Sequence, residues 1–210
     1  MAEASASSCI AGILIFHGVE EIEFAAPFAV FAAMRRLQIH SGDSDLPETH
    51  AITLARSPGI IHGANGLRLL ADYDLTMCPA LDVLIVPGSG EIGEPTTPAM
   101  EDLALWDFVH ERAPQVRCLA SVGTGAFVLA KAGVLAGKRA TTRAPYRAQL
   151  GRFDGVTPCD EGLVEDGAVW TAASGAWGMR LALGIIARFY GDPVSRRVAR
   201  ELEMEGGGPG

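Results

Sequence analysis

The stretch from Val116 to Ala132 most narrows what this chain can fold into. Val116 to Val122 is apolar enough for a buried strand, and Thr124 to Ala132 has helical spacing, closed by Gly133. Between them Ser121-Val122-Gly123-Thr124-Gly125 places small residues, Ser121 and Gly125, on either side of a tight apex, so the strand turns straight into the helix. A strand that runs directly into a helix is one half of a βαβ crossover. It therefore implies a parallel sheet with helices on its faces.

The rest of the sequence repeats that alternation. Cys9 to Phe16, His50 to Ala55 and Asp82 to Val86 read as strands, the last ended by Pro87-Gly88. Phe24 to Met34 reads as a helix, with Pro27 expected only in a first turn. Met100 to Glu111 reads as an amphipathic helix with Leu103, Trp106, Phe108 and Val109 inward. Ala140 to Thr142, Gly167 to Thr171 and a long helix over Ala176 to Tyr190 complete the pattern. A mostly parallel sheet covered on both faces places its sites at the carboxyl ends of its strands. Those ends are His17 to Glu23, Pro87 to Gly90, the turn at Gly123, and Ser174 to Trp177. One domain over residues 9–200 is expected, with frayed tails at 1–8 and 201–210.

Charge and composition exclude several classes of partner. The formal net charge is −8 and there is no Lys/Arg run, which argues against nucleic acid. No apolar stretch approaches the roughly 20 residues of a membrane span. The first eight residues lack a basic segment, and the four cysteines are scattered without metal-ligand spacing. A cytoplasmic protein with reduced thiols, no metal and no cofactor is the expectation.

A residue at the apex of such a turn stands above the sheet at a helix N-terminus, where amides and the macrodipole favour an anion or a thiolate. Here the apex is glycine, which carries no functional atom and adopts positive φ at little cost. Covalent catalysis from position 123 is therefore excluded. The local pattern is equally that of a plain glycine-rich turn.

From Ala120 through Gly123 to Thr142 the sequence resembles the nucleophile segment of the ThiJ/PfpI superfamily. The resemblance is to its isonitrile hydratase branch and to the matching domain of certain AraC-type regulators. It extends over Ile13 to Pro27, over Ser57-Pro58-Gly59 through Cys78 to Gly88, and over Trp170 to Gly178. It implies a flavodoxin-like, class I glutamine amidotransferase-like α/β three-layer sandwich with a mostly parallel central sheet, and a homodimer. In the family, cysteine stands where Gly123 stands, and histidine where Arg143 stands. The proton-exchanging acid of the first loop corresponds to Glu23, a Glu where the hydratases have Asp. The resemblance gives an oxyanion to the backbone of Gly88, Ser89 and Gly90 and to the Thr124 amide.

Glu23 is expected in an apolar pocket beside Phe16, Ile22, Phe24 and Trp177, with its pKa raised by desolvation. Arg143 is read either as a fork for a substrate carboxylate or phosphate, or as a surface Arg paired with an acid. His17 and Trp177 are candidate pocket walls, and His62 and Ser174 weaker ones. Three functional readings follow. The first is a cofactor-free enzyme acting on a small molecule by Glu23 acid–base catalysis: a lyase that hydrates or dehydrates, or an isomerase or cyclase. The others are a nucleophile-to-glycine variant of an isonitrile hydratase, and a non-catalytic ligand-binding domain.

Overall fold

The computed structural model describes residues 8–43, 46–89 and 100–204. Among the described residues, eleven strands and six α-helices follow in chain order. β1 (Cys9–Leu14) leads into α1 (Glu21–Ser41), then β2 (Thr49–Ala55). A small hairpin of β3 (Ile61–His62) and β4 (Arg68–Leu69) precedes β5 (Tyr73–Asp74). Next come β6 (Val83–Val86), α2 (Leu103–Arg112), β7 (Cys118–Val122) and α3 (Gly125–Lys131). The last part holds β8 (Arg139–Ala140), α4 (Arg147–Leu150), β9 (Thr157–Pro158), β10 (Leu163–Asp166), β11 (Val169–Ala172), α5 (Gly175–Tyr190) and α6 (Asp192–Glu201).

Seven strands form the main sheet in the order β10-β11-β7-β6-β1-β2-β5. Every pairing is parallel except that of β10 with β11, which is antiparallel at the edge. Helices α1, α5 and α6 pack together on one side, and α2 packs on α3. The central strands β6 and β7 are buried along their whole length, as a sheet covered on both faces requires. The expected three-layer α/β architecture is the one observed.

Several boundaries differ from those read in the sequence. α1 runs for 21 residues, and Pro27 lies inside it rather than in its first turn. Proline has no N–H to offer the carbonyl four residues back, which is that of Glu23. Two acidic side chains in the first turn of α1, Glu21 and Glu23, suit the positive end of the helix dipole. In α2 the Asp102 side chain accepts from Ala104 N–H and starts the helix later than Met100. Of the residues expected inward, Phe108 and Val109 are buried, Trp106 is partly buried against the core, and Leu103 is exposed in the first turn, while Leu105 is buried as well. The two-residue strands β3, β4, β5, β8 and β9 carry no readable periodicity. α6 reaches Glu201, the first residue of the expected C-terminal tail; residues 1–7 and 205–210 of the two expected tails lie outside the described residues.

Among the described residues no helix is long and apolar enough to cross a membrane. Among the same residues no group of acidic, His and Cys side chains has the geometry to hold a metal ion.

Candidate active site

β7 and β6 are in register, Val86 beside Ser121, so the turn after β7 and the Pro87-Gly88-Ser89 turn after β6 emerge side by side. The loop after β1 reaches the same place. Val19 bridges Ser89, and Glu20 N–H donates to the Gly88 carbonyl at 3.0 Å. α1 starts from this anchored loop, which fixes Glu23 one turn in. Three consecutive strands of the sheet thereby bring Glu23, Gly88 and Gly123 together.

Gly123 has φ +58°, the left-handed conformation that glycine adopts without strain. Its backbone is held on both sides: its N–H donates to Ala172 O at 2.9 Å, and its carbonyl accepts from Thr142 Oγ1 at 2.8 Å. A Cβ on this residue would overlap the Glu23 carboxyl group. The carboxyl thus fills the space over the apex.

Glu23 is fully buried. Its Oε2 accepts from Gly88 N–H at 2.8 Å. Its Oε1 accepts from Arg143 Nε at 3.0 Å and Arg143 Nη2 at 2.8 Å. Arg143 Nη2 also lies 3.6 Å from Glu20 Oε2. Burial raises the Glu23 carboxyl from its ordinary 4.5 to about 7, against the opposing pull of Arg143 and the Gly88 amide; the nearby Glu20 charge adds a smaller upward push. Arg143 is itself held above its ordinary value by Glu23 and Glu20, despite its own partial burial.

Gly88 is constrained as tightly as Gly123. A Cβ there would overlap Thr124 Oγ1 and stand 2.6 Å from both Glu23 Oε2 and the Thr124 nitrogen. Only glycine allows the β6 turn to approach the head of α3 this closely. Thr124 and Ser89 are buried, and Ser89 N–H donates to Thr124 Oγ1 at 3.0 Å. The Ser89 hydroxyl is buried without a hydrogen-bond partner among the described residues.

Glu23, Gly88, Ser89, Gly123, Thr124 and Arg143 therefore form one cluster. Two of the expected oxyanion amides are already engaged, Gly88 by the Glu23 carboxyl and Ser89 by the Thr124 hydroxyl. Arg143 takes the acid-paired alternative, as the counter-ion of Glu23. Gly90 lies outside the described residues. His17 and Trp177 belong elsewhere by their contacts. His17 is exposed and accepts from His62 N–H through Nδ1 at 3.3 Å. Trp177 packs on Gly162, which has no Cβ to block it, with the Arg180 guanidinium 4.9 Å above the ring. Ile22 is 53% exposed and lies against Gly175, so it does not line a dry pocket around Glu23.

Sequence reasoning missed Thr142, which pins the apex carbonyl, and Glu21. The Glu21 carboxylate accepts from Asn65 N–H at 2.8 Å and Asn65 Nδ2 at 2.6 Å, tying the β3–β4 hairpin to the head of α1. A Thr-Thr pair after a short strand gives no signal for the first role, and a long-range bond from an Asn turn gives none for the second.

None of the cysteines sits at the turn. Cys9 and Cys118 begin β1 and β7, at the ends of those strands away from the apex. Burial pushes their thiols up to about 11 and about 12, and it raises Cys78 as well.

The DJ-1/PfpI family profile matches residues 11–188. The chain belongs to the DJ-1/PfpI family. It is 33% identical over 192 residues to the isonitrile hydratase of Pseudomonas putida, covering 91% of this chain and 77% of that protein. It is also 33% identical over 147 residues to an uncharacterized protein of Streptomyces lividans, covering 67% of this chain and 91% of the other. Among solved structures, a ThiJ/PfpI family protein from Pseudomonas syringae superposes with a TM-score of 0.82 at 20% identity, over 99% of this chain and 81% of the other. An AraC family transcriptional regulator from Pseudomonas putida superposes with a TM-score of 0.76 at 21% identity, over 92% of this chain and 99% of the other. These structural likenesses speak for the DJ-1/PfpI fold alone.

Proposed function

We propose that this DJ-1/PfpI protein is a cofactor-free enzyme on a small molecule, in which the Glu23 carboxyl takes the place and the work of an apex nucleophile. The observation that carries the reading is the position of that carboxyl: fully buried, directly over Gly123, with a pKa near 7. An acid–base group works best when its pKa lies near the working pH, and burial has moved this one there.

The reaction class is addition or removal of water, or an isomerisation or ring closure, with Glu23 moving the proton. For an isonitrile, the substrate in the name of the Pseudomonas putida relative, the steps balance without a thiol. Protonated Glu23 gives its proton to the isonitrile carbon. Water adds to the resulting nitrilium carbon and gives a proton back to the carboxylate, and tautomerisation yields the N-substituted formamide. The Thr124 amide at the head of α3 supports negative charge developing above the apex. Arg143 keeps the carboxylate form from becoming too costly.

The test is product analysis by mass spectrometry on isonitriles, and on alcohols and alkenes flanking a carbonyl, with the wild type and Glu23→Gln. Turnover in the wild type that disappears in a folded Glu23→Gln supports the reading; equal turnover in both contradicts it.

One observation favours a second reading, that of a ligand-binding domain without turnover. Glu23 has no exposed surface, and both its oxygens are already hydrogen-bonded. That reading predicts saturable binding without product, and an affinity indifferent to the protonation of Glu23. The variant reading, in which Gly123 merely replaces a catalytic cysteine, fits the packing less well, because the carboxyl occupies the space a cysteine side chain would need.

A further inference from the structure

A cavity opens where the chain leaves β1 and β2, with a volume of about 270 Å³. Its floor is apolar: Ile15, Phe16, Ile61 and Leu105 are all buried. Its rim carries His17, Arg56, Ser57 and Asp102. It lies at the carboxyl ends of parallel strands, where open α/β sheets hold ligands. In size it falls just below the usual range of small-molecule pockets.

The rim is richer in donors than in acceptors. His17 Nδ1 accepts the His62 N–H, so the proton of the neutral ring sits on Nε2, which is a donor. Arg56 brings a guanidinium whose Nη1 meets Asp102 Oδ2, and the Arg56 side chain is 64% exposed. The other Asp102 oxygen is committed to Ala104 N–H at the head of α2. Ser57 adds a hydroxyl. An acceptor with two oxygens meets these groups best, joined to an apolar body that covers the floor.

We propose that this cavity is a binding site for a small monocarboxylate with an aliphatic or aromatic body, its carboxylate held by Arg56 and His17. Glu23, Arg143 and Gly123 do not line the cavity, so the proposal stands apart from the reading of Glu23. The carboxylate takes the exposed edge of the Arg56 fork, and the body rests on Phe16 and Leu105.

The test is isothermal titration of the full chain with benzoate and with hexanoate, with acetate and hexanol as comparison ligands. Saturable binding of the first two, at least about tenfold tighter than either comparison ligand, is the expected result, since both the charge-assisted bonds and the apolar contact are needed. Arg56→Gln and His17→Phe should each weaken binding about tenfold while leaving the melting temperature and the Glu23-dependent turnover unchanged. A filling variant, Ser57→Trp, should abolish it. The proposal is overturned if no saturable binding occurs. It is equally overturned if binding survives all three variants, or is lost in Arg143→Gln instead, which would put the carboxylate at the Glu23 site.

Discussion

The carboxyl group of Glu23 and the backbone of Gly123 share one small volume: the acid stands where a side chain on the glycine would have to be. Glu23 enters that volume from α1 and Gly123 bounds it from the end of β7, so two distant parts of the chain are interlocked. The pairing is steric as well as chemical. A longer residue at 123 and a buried carboxyl at 23 exclude each other.

Substitution at Gly123 therefore carries two penalties, strain at φ +58° and displacement of Glu23. Gly123→Ala and Gly123→Cys should each lower stability by about 1–3 kcal/mol from backbone strain alone, with a further loss from the displaced carboxyl. Shortening the acid by one methylene should relieve the second part. In denaturant unfolding, Gly123→Cys combined with Glu23→Asp should be less destabilised than the two single changes added together. Strict additivity would show that the two residues do not compete for space.

The raised Glu23 pKa makes stability depend on pH in a defined direction. The folded state holds this proton up to about 7, whereas an unfolded chain releases it near 4.5. The contribution of the protonated form is fully present below 4.5 and is lost as pH rises through about 7, a change of about 3 kcal/mol for a shift of this size. Glu23→Gln should flatten that part of the curve, read as melting temperature against pH from 4 to 8. The same slope in both proteins would mean that another group causes it.

Arg143 holds the Glu23 pKa down against burial. Arg143→Met should push the carboxyl above about 7 and move the midpoint of the pH–rate profile upward. Its cost to stability should grow with pH, reaching about 3 kcal/mol near pH 8, where a buried carboxylate would stand without its partner. Arg143→Lys should recover only part of this, since an ammonium cannot make the two-pronged contact from Nε and Nη2. A midpoint that stays fixed in Arg143→Met would contradict the electrostatic role.

Much of this arrangement was legible in the sequence, for physical reasons. A strand running into small residues and then a helix has few solutions, so the parallel sheet and the turn at Gly123 followed from residues 116–133. Glu23 and the upward direction of its pKa followed from the resemblance and from its expected burial, although Ile22 and Trp177, two of the four apolar neighbours expected, lie elsewhere. What was not legible depends on contacts across long sequence separations. The Arg143–Glu23 pair spans 120 residues, and it decided between two roles for Arg143 that composition leaves equal. The same carboxyl engages the Gly88 amide that the sequence assigned to a substrate. His17 followed from its place after β1, yet its Nδ1 faces the β3–β4 hairpin, whose two-residue strands leave no pattern to read.

The thiols offer an independent check. With Cys9 and Cys118 raised to about 11 and about 12 and Cys78 raised as well, these three side chains hold little thiolate at neutral pH, and none of the four cysteines lies at the Gly123 turn. Treatment with iodoacetamide at pH 7 should leave turnover unchanged. Complete loss of turnover with modification of a single cysteine would restore a thiol mechanism.

The most direct test is a carbon-13 NMR titration of the glutamate side-chain carboxyls, comparing the wild type with Glu23→Gln. One resonance, missing from Glu23→Gln, should titrate near pH 7, well above the ordinary 4.5 of a glutamate side chain. If the resonance that disappears in Glu23→Gln titrates near 4.5 instead, Glu23 is neither dry nor tuned for proton transfer, and the proposed chemistry fails.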